Sequence, residues 1–304
     1  MMRDVGTWPP ADYFVRPERR GHRRTLLDRM ARELAGYVIR PARVRLLNPD
    51  RIVAGIRRLE EALRVKTDGE LKDLADSMRR RLRSEGFKDP VVTEAFALIR
   101  EVAGRTVGMR HFDCQLIGGA ALLKGFLVEM DTGEGKTLVA TLPAATAAMA
   151  GLPVHVITVN DYLTARDAEW MGEIYRFLGH SVGCITHEKT PVQRRQAYRA
   201  DITYCTNKEL VFDYLRDRLL LGEASDPLRL YGEHLYDTKG KSDRLLLRGL
   251  HYGIVDEADS VLVDEARTPL ILSKKENAGR EEEVAQQALT AAAKLVEGDD
   301  YRLE

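Results

Sequence analysis

The sequence predicts an α/β fold, a parallel sheet with helices on both faces, preceded by an amino-terminal helical region. Three observations carry that prediction. From residue 111 onward, short runs rich in β-branched residues alternate with stretches of helical period. Before residue 111 the apolar residues recur only at helical spacing. Two polar motifs, EMDTGEGKT at 129–137 and HYGIVDEAD at 251–259, stand where predicted strands end, and loops at the carboxyl ends of parallel strands are where such sheets carry ligands.

Taken in order, residues 1–24 read as irregular around Pro9, Pro10 and Pro17. Helices are predicted over 25–40 and 50–66, separated by Pro41 and the pair Asn48 and Pro49. A third starts at Asp68 and ends at Gly86, with Leu71, Leu74, Met78 and Leu82 on one stripe. A fourth covers 91–110 with Val92, Phe96, Ile99 and Val102. The stripe of Leu71, Leu74, Met78 and Leu82 reads as a core face rather than a cofactor site. Strands are predicted at 125–130, 153–159, 181–185, 201–206 and 251–256, and helices at 136–150, 161–178, 191–199 and 207–221. Residues 222–249, with Pro227, Gly232 and Gly240, read as a surface insertion. A short strand at 270–272 and an acidic, alanine-rich helix at 279–297 close the chain.

Length allows about two domains, and 44% hydrophobic with 31% charged residues is the composition of a globular protein. Cys114, Cys184 and Cys205 lack CxxC pairing, which argues against a disulfide framework or a zinc site and for a reducing cytoplasm. No apolar run reaches about 18 residues, and the first residues lack the apolar core of an export signal. His111, His234 and His251 are too irregularly spaced to read as a metal set. Net charge is zero, yet residues 1–60 hold 14 Arg and Lys against 7 Asp and Glu. Such a basic arm suits anionic lipid or nucleic acid as well as it suits a solvated helix surface.

The chemistry of the first motif follows from its residue types. Gly133 and Gly135 let the backbone pass close to a polyphosphate, so that successive N–H groups and the positive end of the next helix face the anion. Lys136 adds a point charge and Thr137 a hydroxyl for magnesium. Met130 stands where the strict phosphate-loop pattern has its first glycine. The second motif runs an apolar strand into Asp256 and Glu257. A magnesium-assisted phosphoryl transfer needs one carboxylate near the metal, here Asp256, and another to orient or deprotonate water, here Glu257.

Five blocks resemble the SecA preprotein translocase ATPase family in its amino-terminal portion: Met109 to Gly119, Thr132 to Thr137, Val159 to Leu163, Phe212 to Asp217, and Val255 to Ser260 leading into Asp264 to Leu270. The resemblance covers about 70–275. It implies a RecA-like parallel sheet of the P-loop NTPase class, the first lobe of a DEAD-type motor that binds ATP and Mg2+ and pushes unfolded preproteins through a SecY-type channel. It further implies Gln115 as the reader of adenine. Thr132, Gly133, Glu134, Gly135, Lys136 and Thr137 would be the phosphate loop, Thr137 and Asp256 the metal residues, and Asp256 with Glu257 the catalytic carboxylates. The implied organisation is a basic helical extension at 1–66, a nucleotide-binding domain at 67–275 with the insertion at 222–249, and the start of a preprotein-crosslinking domain at 276–304. The implied location is cytoplasmic, peripheral on the inner face of the inner membrane, with anionic lipid as a contact.

The chain departs from the resembled pattern at Asp131, where the family usually has Arg or Lys, and at Cys205, Lys208 and Val211. The family's second RecA-like lobe, supplier of an arginine finger, has no counterpart in these residues, so poor hydrolysis by this chain alone is expected unless that lobe is supplied in cis or in trans. A DEAD-type nucleic-acid helicase is the alternative of another class, disfavoured because Asn160 to Leu163 does not match the helicase block; a non-catalytic nucleotide-binding module is the third.

Overall fold

A computed structural model describes residues 49–221, 244–265 and 279–295. The chain forms two compact units, Met1–Arg267 and Thr268–Glu304. The predictions over 1–48, 222–243 and 270–272 fall on residues outside those described.

Four helices lead the first unit: α1 (Pro49–Arg64), α2 (Asp68–Glu85), α3 (Asp89–Thr106) and α4 (Asp113–Leu123). The start of α2 is fixed by a reciprocal cap, in which the Glu70 N–H donates to the Thr67 hydroxyl at 3.3 Å and the Thr67 N–H to the Glu70 carboxylate at 2.7 Å. Gly86, with φ 70°, ends it. Leu71, Met78 and Leu82 are buried as the stripe predicts, and Leu74 packs partly buried against them. Helix α3 is central, touching α1, α2 and the helix α5 (Lys136–Met149), and buries Val92, Phe96, Ile99 and Val102. Burial of that many apolar side chains is the main favourable term, at about 1.5–3 kcal/mol each.

Charges brace this packing. The Glu60 carboxylate pairs with Arg100 at 2.7 Å and Arg110 at 3.3 Å, while the buried Glu101 pairs with Arg105 at 2.8 Å and Arg110 at 2.6 Å. Arg105 also donates to the carbonyls of Leu63, Arg64 and Lys66 at and just beyond the end of α1.

The sheet has four parallel strands in the order β2-β3-β1-β4: β1 (Val154–Thr158), β2 (Val182–Cys184), β3 (Ile202–Thr206) and β4 (Tyr252–Val255). Helices α6 (Asp161–Trp170), α7 (Gly172–Phe177), α8 (Pro191–Tyr198) and α9 (Asn207–Leu221) connect them. Every residue of β3 is buried, as expected for a strand covered on both faces. Among the described residues no helix is long and apolar enough to cross a membrane. In the second unit, helix α10 (Gly279–Ala292) is observed within the predicted 279–297.

Three expectations need correction. Residues 125–130 form no strand. Gly125, with φ 79°, closes α4 with bonds from its own N–H to Leu122 and from Phe126 to Ala121, after which the chain runs on without a ladder partner. Leu127 points outward, 85% exposed, while Val128 and Met130 turn inward against Gly118. The side chains alternate in and out as in a strand, but among the described residues no ladder hydrogen bonds form. The predicted helix 161–178 is two helices, because a tight bond from Ile174 to Met171 replaces the α pattern between them. Finally, Leu245, Leu246 and Leu247 are buried rather than on a surface insertion, packing with Ile185, Tyr198, Cys205 and Leu210 or against Leu221. Their seat is made by Asp217, whose carboxylate accepts the N–H groups of Leu246 and Leu247 at 2.8 Å each. Burial pushes the Asp217 carboxyl up to about 6.

Candidate nucleotide site

Residues 131–137 form a loop running into the start of α5. Gly133 has φ 89° and Gly135 φ 79°, conformations that a side chain would strain. Gly135 accepts the first helical bonds, from Leu138 at 3.0 Å and Val139 at 3.1 Å, and no side chain caps the helix. The first turn of α5 contains no acidic residue. Its opening N–H groups and the positive end of its dipole therefore remain available to an anion. Thr132, Gly133, Glu134 and Lys136 are exposed, and Gly135 and Thr137 are half-buried. Among the described residues Lys136 has no ion-pair partner. Asp131 is exposed, and its N–H donates to the Glu134 carboxylate at 3.0 Å.

Gln115 lies in the first turn of α4, buried, and is built into this loop. Its side-chain oxygen accepts the Phe112 N–H at 2.9 Å, and its Nε2 donates to the Glu134 carbonyl at 2.7 Å. A Cβ on Gly135 would lie 2.6 Å from that Nε2. One N–H and one lone pair of the amide remain for a ligand edge. Phe112 stands beside it, 72% exposed, at the cap of α4. In the sequence this ring stands three residues before Gln115, and only its exposure in the fold marks it as a further candidate. His111 locks the two helices together, its Nε2 meeting the Leu138 carbonyl at 3.0 Å and the Thr141 hydroxyl at 3.1 Å. Burial pushes its pKa down to about 4, so the ring is neutral.

At the other half, Asp256 prolongs β4 by donating its N–H to the Ile157 carbonyl of β1 at 2.8 Å. Its carboxylate accepts the Glu257 N–H at 3.1 Å. Glu257 has φ 54°, the one left-handed residue other than glycine among those described. Such a backbone costs about 1–3 kcal/mol and persists only where its surroundings enforce it. The Glu257 carbonyl starts a turn of helix that widens into a π-helical turn over Ser260–Asp264. The buried Asp167 of α6, paired with Arg166, feels the charge of Asp256. Burial raises the Asp167 carboxyl, with the charge of Asp256 adding to the effect.

Helix α5 packs against β1, β3 and β4, so the loop and the acidic turn belong to one packed body. Among the described residues no hydrogen bond or ion pair joins 131–137 to Asp256 or Glu257. No group of three or more His, Cys, Asp and Glu among the described residues is arranged to hold a metal ion. A magnesium ion needs fewer protein ligands than that when phosphates and water supply the rest. The Thr137 hydroxyl and the Asp256 carboxylate are hard oxygen donors of that kind. The residues present fit such an ion. His111 is engaged in packing contacts, and His234 lies outside the described residues.

A parallel sheet with an uncapped glycine-loop helix and paired carboxylates after a strand defines an α/β lobe of the RecA-like, DEAD type. The family model of the SecA DEAD-like domain matches residues 37–302, and the chain belongs to that family. It is 53% identical over 232 residues to protein translocase subunit SecA 2 of Bordetella avium, covering 76% of this chain and 34% of that protein. It is 44% identical over 294 residues to subunit SecA 3 of Magnetococcus marinus, covering 94% of this chain and 44% of that protein. It is 42% identical over 300 residues to subunit SecA 2 of Nitrosospira multiformis, covering 98% and 44%. The chain thus spans less than half the length of these relatives.

Proposed function

We propose that this chain is the ATP-binding lobe of a SecA-like motor that couples ATP hydrolysis to the movement of preproteins across the bacterial inner membrane. The observation that carries the reading is the uncapped amino-terminal end of α5, presented by left-handed Gly133 and Gly135, with Lys136, unpaired among the described residues, in its first turn. The N–H groups of residues 132–137 would hold the phosphates, Lys136 would balance their charge, and Gln115 with the neighbouring Phe112 ring would hold the base. Thr137 and Asp256 would hold Mg2+, which when bound neutralises charge on the transferring phosphate. Glu257, held on a strained turn, would orient water and take its proton.

The names of the relatives support the transport role. On this reading residues 67–275 are the nucleotide-binding domain, 1–66 a basic extension that meets anionic lipid, and 276–304 the beginning of a preprotein-crosslinking domain. The protein would act at the cytoplasmic face of the membrane on unfolded preproteins and a SecY-type channel. A second lobe would have to supply opposing positive charge, which is worth factors of about 10³–10⁵ in rate. The chain by itself should therefore bind Mg-ATP and turn it over slowly.

Equilibrium binding of a fluorescent ATP analogue, competed by ATP, tests the reading. Lys136→Ala should weaken binding by about 10- to 100-fold, the worth of one charged hydrogen bond. Equal affinity in the variant, or no saturable binding by the native chain, would refute the assignment. Fast turnover by the chain alone would refute the need for a second lobe.

A further inference from the structure

Glu265 closes a bracket around the two carboxylates of the candidate site. It terminates the π-helical turn, its N–H donating to the Ser260 carbonyl at 3.0 Å. Its carboxylate then spans to the start of α9, accepting from the Asn207 Nδ2 on one oxygen at 2.7 Å and from the Lys208 Nζ on the other at 2.7 Å. Asn207 is itself held, since its Oδ1 accepts the Lys208 N–H at 2.8 Å. The Thr206 hydroxyl that ends β3 accepts the Glu209 N–H at 3.3 Å, which fixes the same junction.

These contacts form a closed circuit. From Asp256 the chain passes through Glu257 and the π-helical turn to Glu265, across to Asn207 and Lys208, back to Thr206 at the end of β3, and through the paired Thr158 to Ile157 of β1. The Ile157 carbonyl receives the Asp256 N–H and completes the ring. A left-handed Glu257 requires such enforcement, and π-helical turns recur at functional sites. Between them, the β1 bond holds the acidic turn from the strand side and Glu265 holds it from the other.

We infer that Glu265 is a positioning residue: by tethering the π-helical turn to α9 it holds Asp256 and Glu257 where a magnesium-bound polyphosphate requires them. The inference rests on the nucleotide reading of the site and adds to it a residue outside the site's own loops. Lys208 supplies the charge that makes the tether an ion pair. Because Lys208 and Glu265 are partly exposed, at 49% and 27% of their side chains, the pair contributes little to global stability. Its effect lies in placement.

The test compares nucleotide affinity of the full chain with excess EDTA and with excess Mg2+, using a fluorescent ATP analogue. Glu265→Ala should lose about tenfold of the affinity that Mg2+ adds, the usual cost of removing a support behind a metal ligand. The EDTA affinity should stay within about twofold of the native value, because the phosphate loop is untouched. Glu265→Gln, which keeps an acceptor for Asn207 and is the fallback should the alanine variant not fold, should lose part of it. The exchanged pair Lys208→Glu with Glu265→Lys should recover most of it. A Glu265→Ala or Glu265→Gln chain with the native Mg2+ gain, or one that loses both affinities equally, overturns the inference. Lys136→Ala separates this from the reading beneath it: a native chain without binding, or a Lys136→Ala chain with native binding in EDTA, sinks the nucleotide site itself.

Discussion

The two halves of the candidate site are held in place by different means. The loop 131–137 is supported from behind by a packed helix: Gln115 in α4 bonds the Glu134 carbonyl, and His111 ties the approach to α4 to the first turns of α5. The acidic turn has one backbone bond to β1 behind it and a side-chain tether at Glu265 ahead of it. A loop that must offer N–H groups needs its backbone shape kept rigid, and buried contacts do that. The acidic turn has to hold a strained Glu257, and two anchors, one on each side, do that.

The largest break in this comparison is expected at Gly135. Alanine there meets both a φ of 79° and a Gln115 Nε2 at 2.6 Å, so the loop must reshape and release its bond to Glu134. The combined cost is about 3 kcal/mol. Gly135→Ala should lower stability by that order in urea unfolding and remove nucleotide binding with or without Mg2+. Unchanged binding would mean that the loop is not the phosphate cradle.

A smaller effect should reach only the other half. Asp217 anchors Leu246 and Leu247, which lead into β4 and the acidic turn. Its carboxyl is raised by burial from an ordinary 3.8 to about 6, so the folded protein prefers it protonated. Its contribution to stability is therefore full below 3.8 and is lost as pH rises through about 6. Against Asp217→Asn, which removes the titration, the native chain should lose on the order of 2 kcal/mol across that interval, measured by urea unfolding at each pH. A constant difference between the two proteins would remove Asp217 from the account.

Much of this was legible in the residues. The β-branched runs ending at Thr158, Thr206 and Val255 marked strands because burial on both faces demands such residues, and Gly133 and Gly135 marked a turn where the backbone can approach an anion closely. The segment 125–130 misled because an apolar run records a tendency to be buried, whereas a strand also needs a neighbour, and none pairs with it among the described residues. Leu245 to Leu247 were hidden by the polar residues before them, and their burial depends on Asp217, far away along the chain. The tether of Glu265 joins residues 58 apart, a relation that no local period expresses. Phe112 was visible as a residue, but its exposure beside Gln115 required the fold.

On the function proposed above, the loop binds phosphate and the acidic turn answers to the metal, two jobs on two differently supported halves. The most direct test is the Mg2+ dependence of nucleotide affinity in Asp256→Asn beside Lys136→Ala. Asp256→Asn should keep the affinity measured in EDTA and lose about tenfold or more of what Mg2+ adds, whereas Lys136→Ala should lose affinity in both conditions. The same loss pattern in both variants, or an Asp256→Asn chain with the native response to Mg2+, would contradict the account.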